Sequence, residues 1–291
     1  PHSAHHFFDR GTYYGFYDEA ERFAFFSKAA LEFMWVTHKR PQVIHTHDWQ
    51  TALVPVLLFE IYAAHGLEQQ RVCHTIHNFR HQGVVGPDLL ATIGLGRPEY
   101  YRSIDRMGDE FDPHAINFTK GALLYSNFVT TVSPHHAWEV RHTDLGCGLG
   151  HALHHHQSKF GGIVNGIDYE MWNPEIDPHI AAHFGPDRLH LKAENTRALR
   201  QRLLLRDQGV GPIIAYVGRL DTQKGLHLIR HTMFWALANG AQFVLLGSGS
   251  ERGINEQWWH LRHELNNNPD CHLEIGYDED LAHLIYAGAE L

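Results

Sequence analysis

Residues 42–78, QVIHTHDWQTALVPVLLFEIYAAHGLEQQRVCHTIHN, decide the fold class. Residues 42–46 read as a short strand, Asp48 as the N-cap of a helix over 49–65, Gly66 as its stop, and 71–76 as a second strand. A strand, helix, strand order joins parallel strands through a right-handed crossover, so a parallel sheet covered by helices on both faces is expected. Open parallel sheets hold ligands at the carboxyl ends of their strands, which puts His47 and Asp48 on one rim with His77 and Asn78.

Upstream, Phe23, Phe26, Ala30, Phe33 and Met34 recur at three- and four-residue spacing and predict a helix over 19–37 that buries that face. Downstream, 83–114 is rich in Gly, Pro and charge and reads as a long excursion with short helical pieces. A helix over 115–125, a strand over 128–132 and a helix opened by Ser133-Pro134 continue the alternation. Asn165-Gly166 is a turn signal and marks the expected boundary between an N-terminal Rossmann-like domain, 1–165, and a C-terminal one, 166–291. The second half repeats the pattern: a polar helix over 192–206, a strand over 213–217, a glycine-bounded loop, a helix over 226–238, a strand over 242–246 and a helix over 258–266. The class is α/β, with two Rossmann-like halves.

Composition narrows the partners. With 33 acidic against 24 basic side chains the formal charge is −9, which opposes adhesion to nucleic acid or an anionic membrane. Apolar residues make up 43% of the chain, yet no apolar run approaches the roughly 20 residues that cross a bilayer. Cys73, Cys147 and Cys271 are odd in number and far apart, so neither a disulfide framework nor a zinc knuckle is written, and a reducing compartment is expected. The 27 histidines form pairs and a triplet without H-E-x-x-H or Cys/His spacing, so they read as ordinary hydrogen-bonding groups and no metal is expected. Pro1 is not an initiator and the opening lacks a signal peptide, so the chain reads as a fragment.

The loop GRLDTQKG at 218–225 joins a strand to a helix and carries Arg219 and Lys224, two cations that can meet a diphosphate at a helix N-terminus. It is not a Walker A loop, because its Lys precedes the glycine, and an ordinary turn with exposed basic residues is the competing reading. Gly247-x-Gly249 and Gly146-x-Gly148-x-Gly150 fall short of a dinucleotide fingerprint. Asp278-x-Asp280 opens a predicted helix and reads as a cap rather than a metal pair. Asp48 and His77 can bond sugar hydroxyls, and Trp49 can offer an apolar face. These residues together describe a two-domain protein that binds a phosphorylated ligand between its halves.

Six blocks then resemble a family: HTHDWQTAL at 45–53, TIHNFRHQG at 75–83, INFTKGALLYSNFVTTVSP at 116–134, GIVNGIDYEMWNP at 162–174, YVGRLDTQKGLHLIRH at 216–231 and IGYDEDLAHLIYAGAE at 275–290. In this order, and over nearly the whole chain, they are similar to bacterial glycogen synthases and plant starch synthases. The 116–134 block and KAEN at 192–195 look most like starch synthases of type III and IV and their cyanobacterial relatives. The resemblance implies a GT-B fold and retaining transfer of glucose from ADP-glucose to the 4-hydroxyl of an α-1,4-glucan, without metal or cofactor, in bacterial cytoplasm or plastid stroma. It implies that Arg219 and Lys224 neutralise the departing diphosphate and face His77 across the bound sugar. His77 and Asp48 would lie at the reacting sugar, Tyr277 would stack on adenine, and Asn165 would lie near the sugar, with Asn78 and Gly218 completing the substrate contacts. The family's Lys-x-Gly-Gly-Leu loop and Glu-Pro-Cys-Gly block are missing, so this piece alone is expected to have little or no activity. A UDP-glucose-using relative, a non-catalytic glucan-binding or initiation scaffold of the same fold, and a histidine-rich metal binder are the alternatives.

Overall fold

The computed structural model describes residues 7–10, 14–207, 211–249 and 252–291. The chain divides into two compact units, Pro1–Gly166 and Ile167–Leu291.

In the first unit α1 (Glu19–Val36) precedes β1 (Val43–His47), α2 (Leu53–Glu60) and β2 (Arg71–Ile76). The excursion contains β3 (Val84–Val85), α3 (Leu89–Thr92), α4 (Pro98–Arg102) and β4 (Ile116–Asn117), with β3 and β4 paired antiparallel. Then follow α5 (Phe118–Tyr125), β5 (Phe128–Thr131), α6 (Pro134–His142), α7 (Gly150–His155) and β6 (Phe160–Gly162). The sheet runs β1-β2-β5-β6, parallel throughout, with His47 opposite Thr75 and Thr75 opposite Thr130.

Two expectations fail here. The buried stripe of α1 is Arg22, Ala24, Ser27 and Leu31, whereas Phe26 and Phe33 remain 43% and 58% exposed. Small side chains let α1 pack closely on α2, which aromatic rings in their place would prevent. The predicted 49–65 helix is broken into a 3-10 turn at Trp49–Thr51, α2, and a second 3-10 turn at Tyr62–His65 that stops at Gly66 with φ 87°. Asp48 does not cap it, because its carboxylate is engaged elsewhere, as described below.

The second unit contains α8 (Lys192–Arg202), β7 (Ile213–Val217), α9 (Leu226–Ala238), β8 (Gln242–Gly247), α10 (Arg252–Leu265), β9 (Cys271–Ile275) and α11 (Glu279–Gly288). Its sheet is parallel in the order β7-β8-β9. The central strand β8 is buried along its whole length, as its unbroken apolar run requires. Helix α8 ends short of 206, with Leu204 in left-handed backbone at φ 56°. Helix α10 begins earlier than its predicted 258: Ile254, Trp258, Leu261 and Leu265 recur at inward-facing spacing beneath a polar first turn. Among the described residues no helix is long and apolar enough to cross a membrane.

Candidate functional site

In the first unit the carboxyl ends of β1 and β2 meet at Asp48. Its Oδ1 accepts hydrogen bonds from the backbone N–H of His77 at 2.7 Å and of Asn78 at 3.4 Å, and its own N–H donates to the Thr75 carbonyl at 2.9 Å. Asp48 holds φ 55° and ψ −177°, a region that non-glycine residues avoid at a cost of about 1–3 kcal/mol. Such strain persists where surrounding bonds impose it, and the Asp48 contacts do so. His77 is exposed, and its Nε2 lies 3.0 Å from Nδ1 of His47. Burial first, then neighbouring His45 and His77, holds His47 below the ordinary imidazole value, and Asp48 opposes this. Beneath the rim His74 is fully buried with Nδ1 bonded to Thr46 Oγ1 at 2.8 Å, and burial pushes its pKa down to about 3. Trp49 is half-buried and packs against the apolar core, edge-on to Phe23 and tight over Gly83. Asn165 is exposed just past β6.

In the second unit the same end of the sheet carries Gly218, Ser248 and Tyr277. The Gly218 N–H donates to Leu246 O at 3.0 Å, and Leu220 N–H donates to Ser248 O at 2.9 Å, so the loop after β7 is stitched to the end of β8. A Cβ on Gly247 would fall 2.1 Å from the Gly218 carbonyl, so only glycine fits there. These strand ends line a cavity of about 210 Å³ whose walls include Arg219, Gly218, Ser248, Tyr277 and Asp278. Lys224 is not among them. It ends a 3-10 turn whose N-cap Asp221 accepts from Gln223 N–H at 2.8 Å, and α9 begins with its positive dipole end immediately afterwards. Arg219 and Lys224 are exposed and make no side-chain hydrogen bond or ion pair among the described residues. Tyr277 is 86% exposed and its hydroxyl donates to Glu279. Asp278 caps α11 by accepting from Leu281 N–H at 2.8 Å, as its spacing suggested.

The family profile described as "Starch synthase catalytic domain" matches residues 2–155, just over half of the chain. The chain belongs to this family. It is 57% identical over all 291 residues to a probable glycogen synthase 2 of Synechocystis sp., covering 59% of that protein. To a probable chloroplastic/amyloplastic starch synthase 4 of Arabidopsis thaliana it is 43% identical, over 98% of the chain and 27% of that protein. The solved catalytic domain of Starch Synthase IV from Arabidopsis thaliana, bound to ADP and acarbose, superposes with a TM-score of 0.93 at 43% identity, over 98% of this chain and 58% of that one. The fold is accordingly the GT-B class that the resemblance implied. The chain spans about three fifths of the length of the glycogen synthases it matches.

Within this starch synthase framework each unit assembles its own subset of the expected residues. The first unit brings Asp48, His77 and Asn78 together; the second brings Gly218, Arg219 and Tyr277 to one cavity and leaves Lys224 on the neighbouring turn. Sequence reasoning missed Ser248 as a wall, although the Gly-Ser-Gly after β8 was its signal. It placed His47 on the rim but gave it no role, although parallel pairing of β1 with β2 sets it beside His77. A larger cavity of about 600 Å³ in the first unit, beside Lys120, Tyr125 and His155, lies where α5 and α7 lead into the starts of β5 and β6, and none of the candidate residues lines it. Among the described residues no group of three or more His, Cys, Asp or Glu side chains converges as metal ligands.

Proposed function

We propose that the protein containing this chain transfers glucose from ADP-glucose to the non-reducing 4-hydroxyl of an α-1,4-glucan, with retention at the anomeric carbon. The observation that carries this reading is the match over 98% of the chain to a catalytic domain bound to ADP and acarbose. The bond from the anomeric carbon to the diphosphate oxygen breaks, the bond to the acceptor oxygen forms on the same face, and the hydroxyl proton leaves with the diphosphate. Arg219 and Lys224 supply permanent positive charge where negative charge develops on ADP, the electrostatic contribution that weighs most in such transfers. Tyr277, exposed beside the Arg219 cavity, offers its ring to adenine. Asp48, His77 and Asn78, held together at the first-unit rim, orient the sugar, with Asn165 at the end of the same sheet. The first unit serves the acceptor and the second the nucleotide sugar. Cyanobacterial and chloroplastic relatives support the bacterial cytoplasm or plastid stroma as its place.

Labelled ADP-glucose and UDP-glucose offered in competition to the complete protein with a glucan primer test this. Incorporation from ADP-glucose is expected. Preference for UDP-glucose would correct the donor, and retention of glucan without turnover of either donor would overturn the enzymatic reading in favour of a binding scaffold.

A further inference from the structure

We propose that His47 is a positioning residue for His77, holding its ring by an imidazole-to-imidazole hydrogen bond so that Nδ1 is the nitrogen presented to the ligand. This rests on the reading above, in which His77 meets the sugar. Nδ1 of His47 and Nε2 of His77 are 3.0 Å apart, and the two rings stack with centroids 5.3 Å apart at 25°. A neutral imidazole has one N–H and one lone pair, so a single proton lies between these two nitrogens and Nε2 of His77 is committed. Among the described residues Nδ1 of His77 has no hydrogen-bond partner, which leaves it for a hydroxyl.

The rest of the arrangement holds His47 itself. Its backbone N–H donates to Thr51 Oγ1 at 2.7 Å, and the Thr51 hydroxyl donates to the His47 carbonyl at 2.7 Å. Its ring lies over His45 at 4.2 Å between centroids. His45 Nε2 bonds Thr75 Oγ1 at 2.8 Å, and Thr75 bonds Thr130 Oγ1 at 2.6 Å, so the support extends over three adjacent strands. The bond survives one added proton on the pair and fails with two, because two N–H groups then oppose each other. The groups that face His47 and bias this titration are His45, Asp48, His77 and, from the other face of β2, His74.

The test uses the complete protein with histidine ¹⁵N labelling and three variants. An asparagine amide reaches roughly the place of Nδ1, a glutamine amide overshoots it, and phenylalanine keeps the ring without a partner. In His47→Phe and His47→Gln the His77 nitrogens are expected to lose the fixed single-tautomer signature, and kcat is expected to fall about 10- to 100-fold with KM for donor little changed. His47→Asn is expected to restore both. An unchanged His77 spectrum in folded His47→Phe and His47→Gln overturns the proposal whatever the activity. A changed spectrum in a protein that turns over neither donor sustains the His47 proposal while the transferase reading fails.

Discussion

The rims of the two units reach order by different routes. In the first, side chains lock one another: Asp48 binds the backbone of His77 and Asn78, and His47 binds the His77 ring. In the second, order resides in the backbone, with Gly247 against Gly218 and Asp221 capping the turn, while the two cations project without partners among the described residues. Hydroxyls are recognised by hydrogen bonds of fixed direction, which demand preset side chains. A diphosphate is recognised largely by charge, which tolerates flexible arms as long as their bases are fixed.

The largest effect expected from this contrast concerns turnover alone. Arg219→Ala should lower kcat of the complete protein by roughly 10²- to 10³-fold. A partnerless exposed side chain contributes little to folding, so its stability should stay within about 0.5 kcal/mol of the unsubstituted protein. Initial rates and chemical denaturation measured on one preparation check both halves, and a large loss of stability would break the contrast. Gly247→Ala should do the reverse first: a Cβ 2.1 Å from the Gly218 carbonyl must displace backbone, which costs about 1–3 kcal/mol or more by denaturant titration.

At the first rim the informative comparison is between two substitutions of one residue. Asp48→Gly and Asp48→Ala both delete the carboxylate, but only glycine adopts φ 55°, ψ −177° freely. The glycine variant should be more stable than the alanine variant by about 1–3 kcal/mol, and both should lose activity. Equal stabilities would mean that the backbone relaxes once the carboxylate is gone.

His74 sharpens the contrast through pH. Its folded pKa is depressed to about 3 by burial, below the ordinary 6.5 of the unfolded chain. Above pH 6.5 both states are neutral and the group is indifferent. As pH falls from 6.5 towards 3 only the unfolded chain takes the proton, so folding loses about 1.4 kcal/mol per pH unit from this group. Thermal melts from pH 7 to 5 should show the loss in the first unit, and His74→Gln should flatten it.

What was legible in the sequence divides along the range of the interactions concerned. Helix starts act over about three residues, so Ser133-Pro134 could be read as a helix opening and Asp278 as a cap where they stand; Ser133 accepts from His136 N–H at 2.9 Å and Asp278 from Leu281 N–H at 2.8 Å. The strand at 128–131 announces itself by its β-branched run Val129-Thr130-Thr131. Asp48 was misread as a cap because its real partners lie 29 and 30 positions away, across a strand pairing that no local pattern contains. The face of α1 failed for a related reason. Periodicity marks apolar positions, but how closely α2 approaches selects Ala24 and Ser27 over the phenylalanines. In the second unit the loop was legible as a strand-to-helix turn bearing the exposed cations Arg219 and Lys224. That Arg219 and not Lys224 shares a cavity with Tyr277 depends on the β7-β8-β9 order, a tertiary fact.

The smallest effect expected on turnover is the most discriminating. Asp221 accepts from Gln223 N–H at 2.8 Å, and its carbonyl takes the Lys224 N–H at 2.8 Å, so Asp221 fixes the base from which Lys224 projects. Losing such a cap costs about 0.5–2 kcal/mol, at the low end for a short exposed turn. If the second rim works by a fixed backbone carrying flexible cations, Asp221→Ala should reduce kcat several-fold while barely moving the melting temperature, because the Lys224 charge is then spread over more positions. Asp221→Asn keeps an oxygen for the Gln223 N–H and should recover most of the rate. If the alanine variant turns over normally, the ammonium finds the diphosphate without help from its turn, and the contrast between the rims reduces to Gly247 and Gly218.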